Sequence, residues 1–264
     1  MAPLSSVESR DGTVISFEVL GQGPPMVLVH GSAADRSRWT PVVAALAERF
    51  TVHVVDRRGR GLSIAERGPY DLRREGEDIA AVAESAGPDV YVVGHSYGAL
   101  CSLEAALVTD AIDRMFLYEP PAPVGGRAIV PPETIERVRA AAASGDPVAI
   151  LETFFREVIH VSTMDIQAMK GTPIWSARLA AAPTIVRELD GVENFAISDR
   201  LEKITIPVRL LLGTEGPAYF RPAAEAIAAR LPHADLIPLH GQDHLGIDGD
   251  PEQFVEAVLA FAGR

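Results

Sequence analysis

A serine lies between two glycines in residues 94–98, which read Gly-His-Ser-Tyr-Gly with Ser96 at the centre. Residues 90–93 form the short apolar run of a buried strand, and residues 99–108 have the composition of a helix. In a strand–turn–helix setting, small neighbours permit a turn that is too tight for side chains, and the serine hydroxyl is exposed. The helix that follows points its N–H groups at the turn. The pattern therefore predicts that Ser96 is a nucleophile rather than an incidental serine in a glycine-rich turn.

A second turn follows an earlier apolar run, because residues 27–32 read Val-Leu-Val-His-Gly-Ser. We expect the backbone N–H of Ser32 to lie near Ser96. Together with the backbone N–H of Tyr97 it would stabilise a negatively charged oxygen, as the oxyanion hole of an acyl-transfer enzyme does. A serine hydroxyl also needs an imidazole within hydrogen-bond reach to take its proton.

The order of these parts resembles that of the α/β-hydrolase superfamily, over nearly the whole chain. Residues 56–63 read Asp-Arg-Arg-Gly-Arg-Gly-Leu-Ser, similar to the turn after the family's next core strand. Residues 241–244 read Gly-Gln-Asp-His, similar to the segment after its last strand. The resemblance implies that Ser96 is the nucleophile and His244 the general base, with no cofactor.

The carboxylate that orients the histidine is harder to place. In most of the superfamily it follows the penultimate strand, but here residues 212–217 read Leu-Gly-Thr-Glu-Gly-Pro, so Gly216 stands where an aspartate is expected. Glu215 is one residue early. A minority of the superfamily carries the acid after the strand that follows the nucleophile helix, where this chain has Glu119. We favour Glu119 because it ends a strand on the side where sites form in open α/β sheets, and keep Glu215 as the alternative.

The elements that must position these residues alternate between strand and helix, which predicts an α/β fold with a mostly parallel sheet flanked by helices. Strands are predicted at 14–20, 26–29, 51–55, 90–93, 115–118, 208–212 and 236–239. Helices are predicted at 42–49, 78–86, 99–108, 221–230 and 251–261.

The alternation stops in the middle of the chain, where three or four helical segments are expected without a strand. The clearest helices there are 132–143 and 147–159, each with a proline near its start. We therefore predict an α/β-hydrolase core of residues 1–120 and 201–264, and a helical cap of residues 121–200 inserted after the strand that follows the nucleophile helix.

Composition limits the partners. The 264 residues include 24 Lys and Arg against 36 Asp and Glu, a net charge of −12 that opposes binding to nucleic acid or anionic membranes. The single cysteine, Cys101, excludes an intramolecular disulfide. The sequence has no secretory signal pattern, no apolar run long enough for a membrane helix and no metal-ligand spacing, so a cytoplasmic protein is expected.

The expected reaction is hydrolysis of an ester, thioester or lactone through an acyl-enzyme on Ser96. A serine excludes the dehalogenase and epoxide-hydrolase chemistries of the superfamily, which use an aspartate there. Apolar side chains of the predicted cap favour a small to medium-sized hydrophobic substrate, and the expected contacts are Trp39, Phe154, Phe155 and Trp175. Two alternatives stay open: a non-hydrolytic enzyme on the same scaffold (peroxidase-like, dioxygenase-like, a lyase or a cyclase), and a non-catalytic ligand-binding member.

Overall fold

A twisted sheet of eight strands forms the centre of the molecule, in a computed structural model that describes residues 3–263. The strand order is β1-β2-β4-β3-β5-β6-β7-β8; β1 and β2 run antiparallel to their neighbours and all other pairs are parallel. The strands are β1 Leu4–Glu8, β2 Val14–Leu20, β3 Pro25–Val29, β4 Thr51–Val55, β5 Val90–His95, β6 Ile112–Tyr118, β7 Val208–Gly213 and β8 Ala234–Leu239.

Helices cover both faces of this sheet. They are α1 Val43–Ala47, α2 Leu72–Ala86, α3 Tyr97–Ala106, α4 Pro132–Ala143, α5 Pro147–Thr153, α6 Thr163–Met169, α7 Pro173–Ala181, α8 Ile185–Glu193, α9 Phe220–Ala228, α10 Gly246–Gly249 and α11 Pro251–Ala262. Side chains of α2, α3 and α9 bury one face, and side chains of α1 and α11 bury the other. The inner strands are apolar on both faces for this reason, as in other parallel sheets. No helix among residues 3–263 is long and apolar enough to cross a membrane.

Five helices, α4 to α8, lie between β6 and β7. They span residues 132–193, within the cap predicted at 121–200, and from here on the cap means this helical span. It has a hydrophobic cluster of its own, built from residues 130–189 together with Ala33 of the loop after β3. The helix predicted at 132–143 is confirmed as α4, whereas the one predicted at 147–159 ends as α5 and continues as a π-helical turn, Phe154–Val158.

The predicted α/β class, with a mostly parallel sheet, is confirmed. Two further elements differ clearly from the prediction. Helix α2 begins at Leu72 rather than at residue 78, because the Asp71 side chain caps its first turn. The apolar pattern missed this turn because charged residues form its exposed part. Strand β1 was not predicted, because its side chains are exposed or half-buried and leave no apolar run.

Candidate active site

Ser96 lies in a strained turn between β5 and α3. Its φ is 55° and its ψ −125°, in the left-handed region that L-residues avoid. The turn is tight: a Cβ on Gly94 would stand 2.7 Å from the Ala99 Cα, and one on Gly98 would collide with the Val29 carbonyl oxygen. The two glycines of the motif are therefore needed for close backbone approach, and they place Ser96 at the carboxyl edge of the sheet.

Glu119 and His244 are joined in the buried space at the same edge. His244 Nδ1 and Glu119 Oε2 are 2.7 Å apart, and Glu119 Oε1 accepts a hydrogen bond of 2.9 Å from the Gly213 backbone N–H. Glu119 is fully buried and has a positive φ of 47°. With Nδ1–H donating to the carboxylate, a neutral His244 keeps Nε2 free to accept a proton. The contact that the sequence predicts between Glu119 and His244 is present.

Glu215 lies elsewhere. It is exposed, and its carboxylate accepts a hydrogen bond from the Thr214 hydroxyl at 3.2 Å. Gly216, at the position where an acid is common, faces Glu119 instead, since a Cβ there would stand 3.2 Å from Glu119 Oε1. The longer glutamate side chain from β6 therefore occupies the space beside the usual position after β7.

Aromatic rings hold the His244 imidazole in place. Phe220 stacks on it with ring centres 4.4 Å apart, and the His95 ring lies at 4.7 Å. His95 Nε2 hydrogen-bonds the His244 carbonyl oxygen at 3.0 Å, and the Tyr118 hydroxyl donates to the Asp243 carbonyl. Burial and the neighbouring His244 hold the pKa of His95 well below its usual value, so it is a neutral support.

The Ser32 loop runs beside the nucleophile, since a Cβ on Gly31 would stand 2.8 Å from the Ser96 Cβ. His30 fixes this loop: its Nδ1 lies 2.9 Å from the Gly31 carbonyl oxygen, and its Nε2 accepts the Arg57 backbone N–H. Within residues 3–263, no described group accepts a hydrogen bond from the backbone N–H of Ser32 or Tyr97. Both amides are therefore available to a ligand oxygen.

Two small cavities meet at Ser96, and both are lined by Ser32, Ser96, Phe154 and Ile159. The first, which we call the catalytic cavity, also contains His95, His244, Arg38 and Arg178. The second, the apolar cavity, is bounded mainly by apolar side chains, including Val130, Val158 and Leu189, and Glu188 is the one charged residue among those described in its wall. Each measures about 20 Å³, room for about one water molecule, so the cap is closed over Ser96.

Of the predicted substrate contacts, Phe154 lines both cavities and the others do not. Trp39 is fully buried against Phe254 in the core under the sheet. Phe155 and Trp175 lie in the hydrophobic cluster of the cap. These three large apolar side chains therefore lie in hydrophobic clusters rather than in the walls of the two cavities. The Tyr97 side chain also points away, with its hydroxyl 2.7 Å from that of Tyr70.

A buried ionic cluster joins the cap to the core behind Tyr97. Arg57 pairs with Glu75 of α2 at 2.6 Å and with Glu188 of α8 at 2.5 Å, and Arg60 also pairs with Glu188. Although burial raises the pKa of Glu75, Arg57 and Arg60 together lower it to about 2. The Arg57 guanidinium lies 4.8 Å from the Tyr97 ring centre. The ion pairs thus connect the cap to the core, and Arg57 also packs against Tyr97, the residue whose backbone N–H faces the site.

Arg38 and Arg178 were not among the sequence-predicted site residues. Arg178 is the only charged residue of α7, whose sequence is PIWSARLAA, and it is 9% exposed. A single arginine in an otherwise uncharged and mostly apolar helix is a signal that could have found it. Arg38 gave no such signal, because its loop contains other charged residues.

Comparison with known proteins shows the family to which this chain belongs. A family model described as "Alpha/beta hydrolase family" matches residues 26–257. An alpha/beta hydrolase from Sphaerobacter thermophilus is 35% identical, with a TM-score of 0.84 over 97% of this chain and 99% of that one. The esterase RhEst1 from Rhodococcus sp. is 26% identical, with a TM-score of 0.77 over 99% and 98%. A pimeloyl-[acyl-carrier protein] methyl ester esterase from Aeromonas hydrophila is 26% identical over 94% of this chain and 99% of its own length. The chain belongs to the alpha/beta hydrolase family.

Proposed function

We propose that this protein hydrolyses esters through a covalent acyl-enzyme on Ser96, without a cofactor. The observation that supports this most directly is the 2.7 Å contact between His244 Nδ1 and the buried Glu119 carboxylate, in a site that Ser96 shares. The names of similar proteins, an esterase from Rhodococcus and a methyl ester esterase from Aeromonas, agree with an ester as substrate.

In the proposed reaction, His244 Nε2 takes the proton of the Ser96 hydroxyl while the oxygen attacks the ester carbonyl carbon. The backbone N–H groups of Ser32 and Tyr97 donate to the resulting oxyanion, and each such donor contributes about 3–4 kcal/mol to the transition state. His244 then gives its proton to the leaving alcohol as the carbon–oxygen bond breaks. Glu119 stabilises the imidazolium throughout.

The second half of the reaction repeats the first with water. His244 removes a proton from a water molecule, which attacks the acyl carbon, and Ser96 leaves with the proton returned. The closed cavities of about 20 Å³ hold no more than one water molecule. We therefore propose that the cap acts as a lid, which opens to admit a small to medium-sized acyl ester, thioester or lactone.

Steady-state hydrolysis of short p-nitrophenyl esters tests the proposal. We expect Ser96→Ala to lose at least about 10³-fold in kcat, because the nucleophile and its proton transfer are removed together. Ser144→Ala is the matched control, since Ser144 is exposed on the cap and its hydroxyl donates to the carbonyl oxygen of Ala141 in α4. Full activity in Ser96→Ala would contradict the proposal and would favour a reaction that uses His244 without the serine.

A further inference from the structure

Two arginines form one side of the catalytic cavity. Arg178 of α7 and Arg38, from the loop after β3, line it together with Ser96 and His244. Both guanidinium groups are buried, with Arg178 9% and Arg38 6% exposed. A buried charge normally has a partner of opposite sign, yet two positive charges lie here and, among the described residues, one carboxylate, Asp248, is paired to one of them.

The hydrogen-bonding groups of these arginines are incompletely used. Arg38 pairs with Asp248 through Nη1, but its Nε and Nη2 have no partner among the described residues. Arg178 has no ion pair with any residue of 3–263, its Nε is unbonded, and its one hydrogen bond is a long one of 3.4 Å to the Ala33 carbonyl oxygen. Buried donors without acceptors cost free energy that a ligand can recover.

A contact with Phe155 helps to position Arg178, but its Nε–H has no acceptor among the described residues. Its guanidinium carbon lies 5.2 Å from the centre of the Phe155 ring, which is a cation–π contact. Burial, and then the neighbouring Arg38, lower the pKa of Arg178 to about 10, so it still carries its charge at neutral pH. An anion in the cavity would relieve this repulsion and accept the unused N–H groups.

The two arginines border two spaces, and the carboxylates in each wall decide in which of them an anion would bind. The same two arginines also line a separate outer groove of about 440 Å³, and Asp35 and Asp248 are part of its wall. No carboxylate is among the described residues that line the catalytic cavity. The two aspartates balance the charge of the arginines in the outer groove, whereas no described carboxylate does so in the wall of the catalytic cavity, so an anionic group gains more beside Ser96.

We propose that Arg178, supported by Arg38, binds a carboxylate of the substrate, so that the preferred esters carry a free carboxylate on one side of the scissile bond and an apolar group on the other. The planar guanidinium fork matches a carboxylate, and the apolar cavity on the other side of Ser96 takes the remaining part. This rests on the proposed ester hydrolysis, and it replaces a purely hydrophobic substrate by an amphiphilic one.

Substrate pairs that differ only in charge test the proposal. Methyl monoesters of straight-chain C4 to C6 dicarboxylic acids, and acetyl esters of ω-hydroxy acids, are each compared with their neutral ω-amides. We expect the wild type to prefer the carboxylate member by about 10- to 100-fold in kcat/KM, mainly through KM, as a charge-assisted hydrogen bond allows. Arg178→Met lowers kcat/KM for the carboxylate member more than for its amide, so that the preference is lost, whereas Arg178→Lys keeps part of it.

Arg137→Met is the matched control, because Arg137 is another cap arginine, exposed and paired with Glu157. The preference survives this change if the effect is specific to Arg178. Equal kcat/KM for both members of every pair in the wild type, or an equal loss for both members in Arg178→Met, would overturn the proposal.

Binding to the Ser96→Ala protein separates this proposal from the proposed reaction. Calorimetry with the same pairs is expected to show tighter binding of the carboxylate member, by about 10-fold or more, and loss of the difference in Ser96→Ala/Arg178→Met. If the wild type hydrolyses nothing while this difference remains, the reaction is refuted and the carboxylate site stands. If neutral esters are hydrolysed and no difference in binding is found, the reaction stands and the carboxylate site is refuted.

Discussion

Glu119 Oε1 lies so close to Gly216 that a Cβ on the glycine would stand 3.2 Å from it. The two residues follow different strands, β6 and β7, and only one of them carries a carboxylate. The same Glu119 side chain bonds the Gly213 N–H through one oxygen and His244 through the other. A single buried glutamate thus fills the space between two strand ends and fixes the histidine.

The first prediction concerns Glu119. Glu119→Gln keeps the size of the side chain but removes the charge that stabilises the imidazolium, so kcat should fall by about 10³- to 10⁴-fold. Glu215→Gln, an exposed change of the same kind, should leave kcat within about twofold. Ester hydrolysis by the two purified variants checks this, and the opposite ranking would assign the acid to Glu215.

The second prediction is that the acid can be transferred from the end of β6 to the end of β7. Glu119→Ala removes the carboxylate and opens space beside Gly216, into which Gly216→Asp would place a new one. We expect the double variant to recover at least about tenfold of the activity lost in Glu119→Ala, because the position requires a negative charge within reach of His244 Nδ1. Glu119→Ala/Glu215→Asp is the control. Equal activity in all three variants would show that the space beside Gly216 does not lead to His244.

The third prediction concerns acid stability through Glu75. Its pKa falls from 4.5 in the unfolded chain to about 2 in the folded one, since Arg57 and Arg60 outweigh its burial. A carboxyl with a lowered folded-state pKa contributes stability that is complete above about pH 4.5 and is lost as the pH falls towards about 2. Glu75→Gln should therefore flatten the loss of unfolding free energy across this window.

Urea unfolding at several pH values checks the third prediction. Glu75→Gln is also expected to lower stability at neutral pH by about 3–5 kcal/mol, because Arg57 and Arg60 lose a buried partner. Glu77→Gln serves as the control, since Glu77 lies on the same helix in a more exposed pair with Arg74. Parallel pH profiles for the wild type and Glu75→Gln would contradict the assignment.

Residues that lie in a local pattern could be placed from the sequence. The turn around Ser96 is defined by its two glycines and the strand and helix beside it, all within a few residues. Glu119 could be proposed because it ends a strand, and strand ends of a parallel sheet share one edge. Its contact with His244, 125 residues away, follows from that edge.

Residues placed by packing between distant segments could not be found in this way. Arg178 and Arg38 meet only because α7 folds back over the loop after β3, and no spacing in the sequence encodes that contact. Trp39 illustrates the reverse case: a large apolar side chain near the site is compatible with a core or with a pocket. Its burial against Phe254 depends on α11, at the far end of the chain.

The central claim is that Ser96 is a nucleophile activated by His244 and Glu119, and covalent labelling tests it most directly. The protein is treated with a fluorophosphonate, and the adduct is located by mass spectrometry of its peptides, with Ser96→Ala and Glu119→Gln in parallel. We predict one adduct on Ser96 in the wild type, none in Ser96→Ala and a labelling rate lowered by about 10²-fold or more in Glu119→Gln. An unlabelled wild type, or an adduct on another residue, would contradict the account.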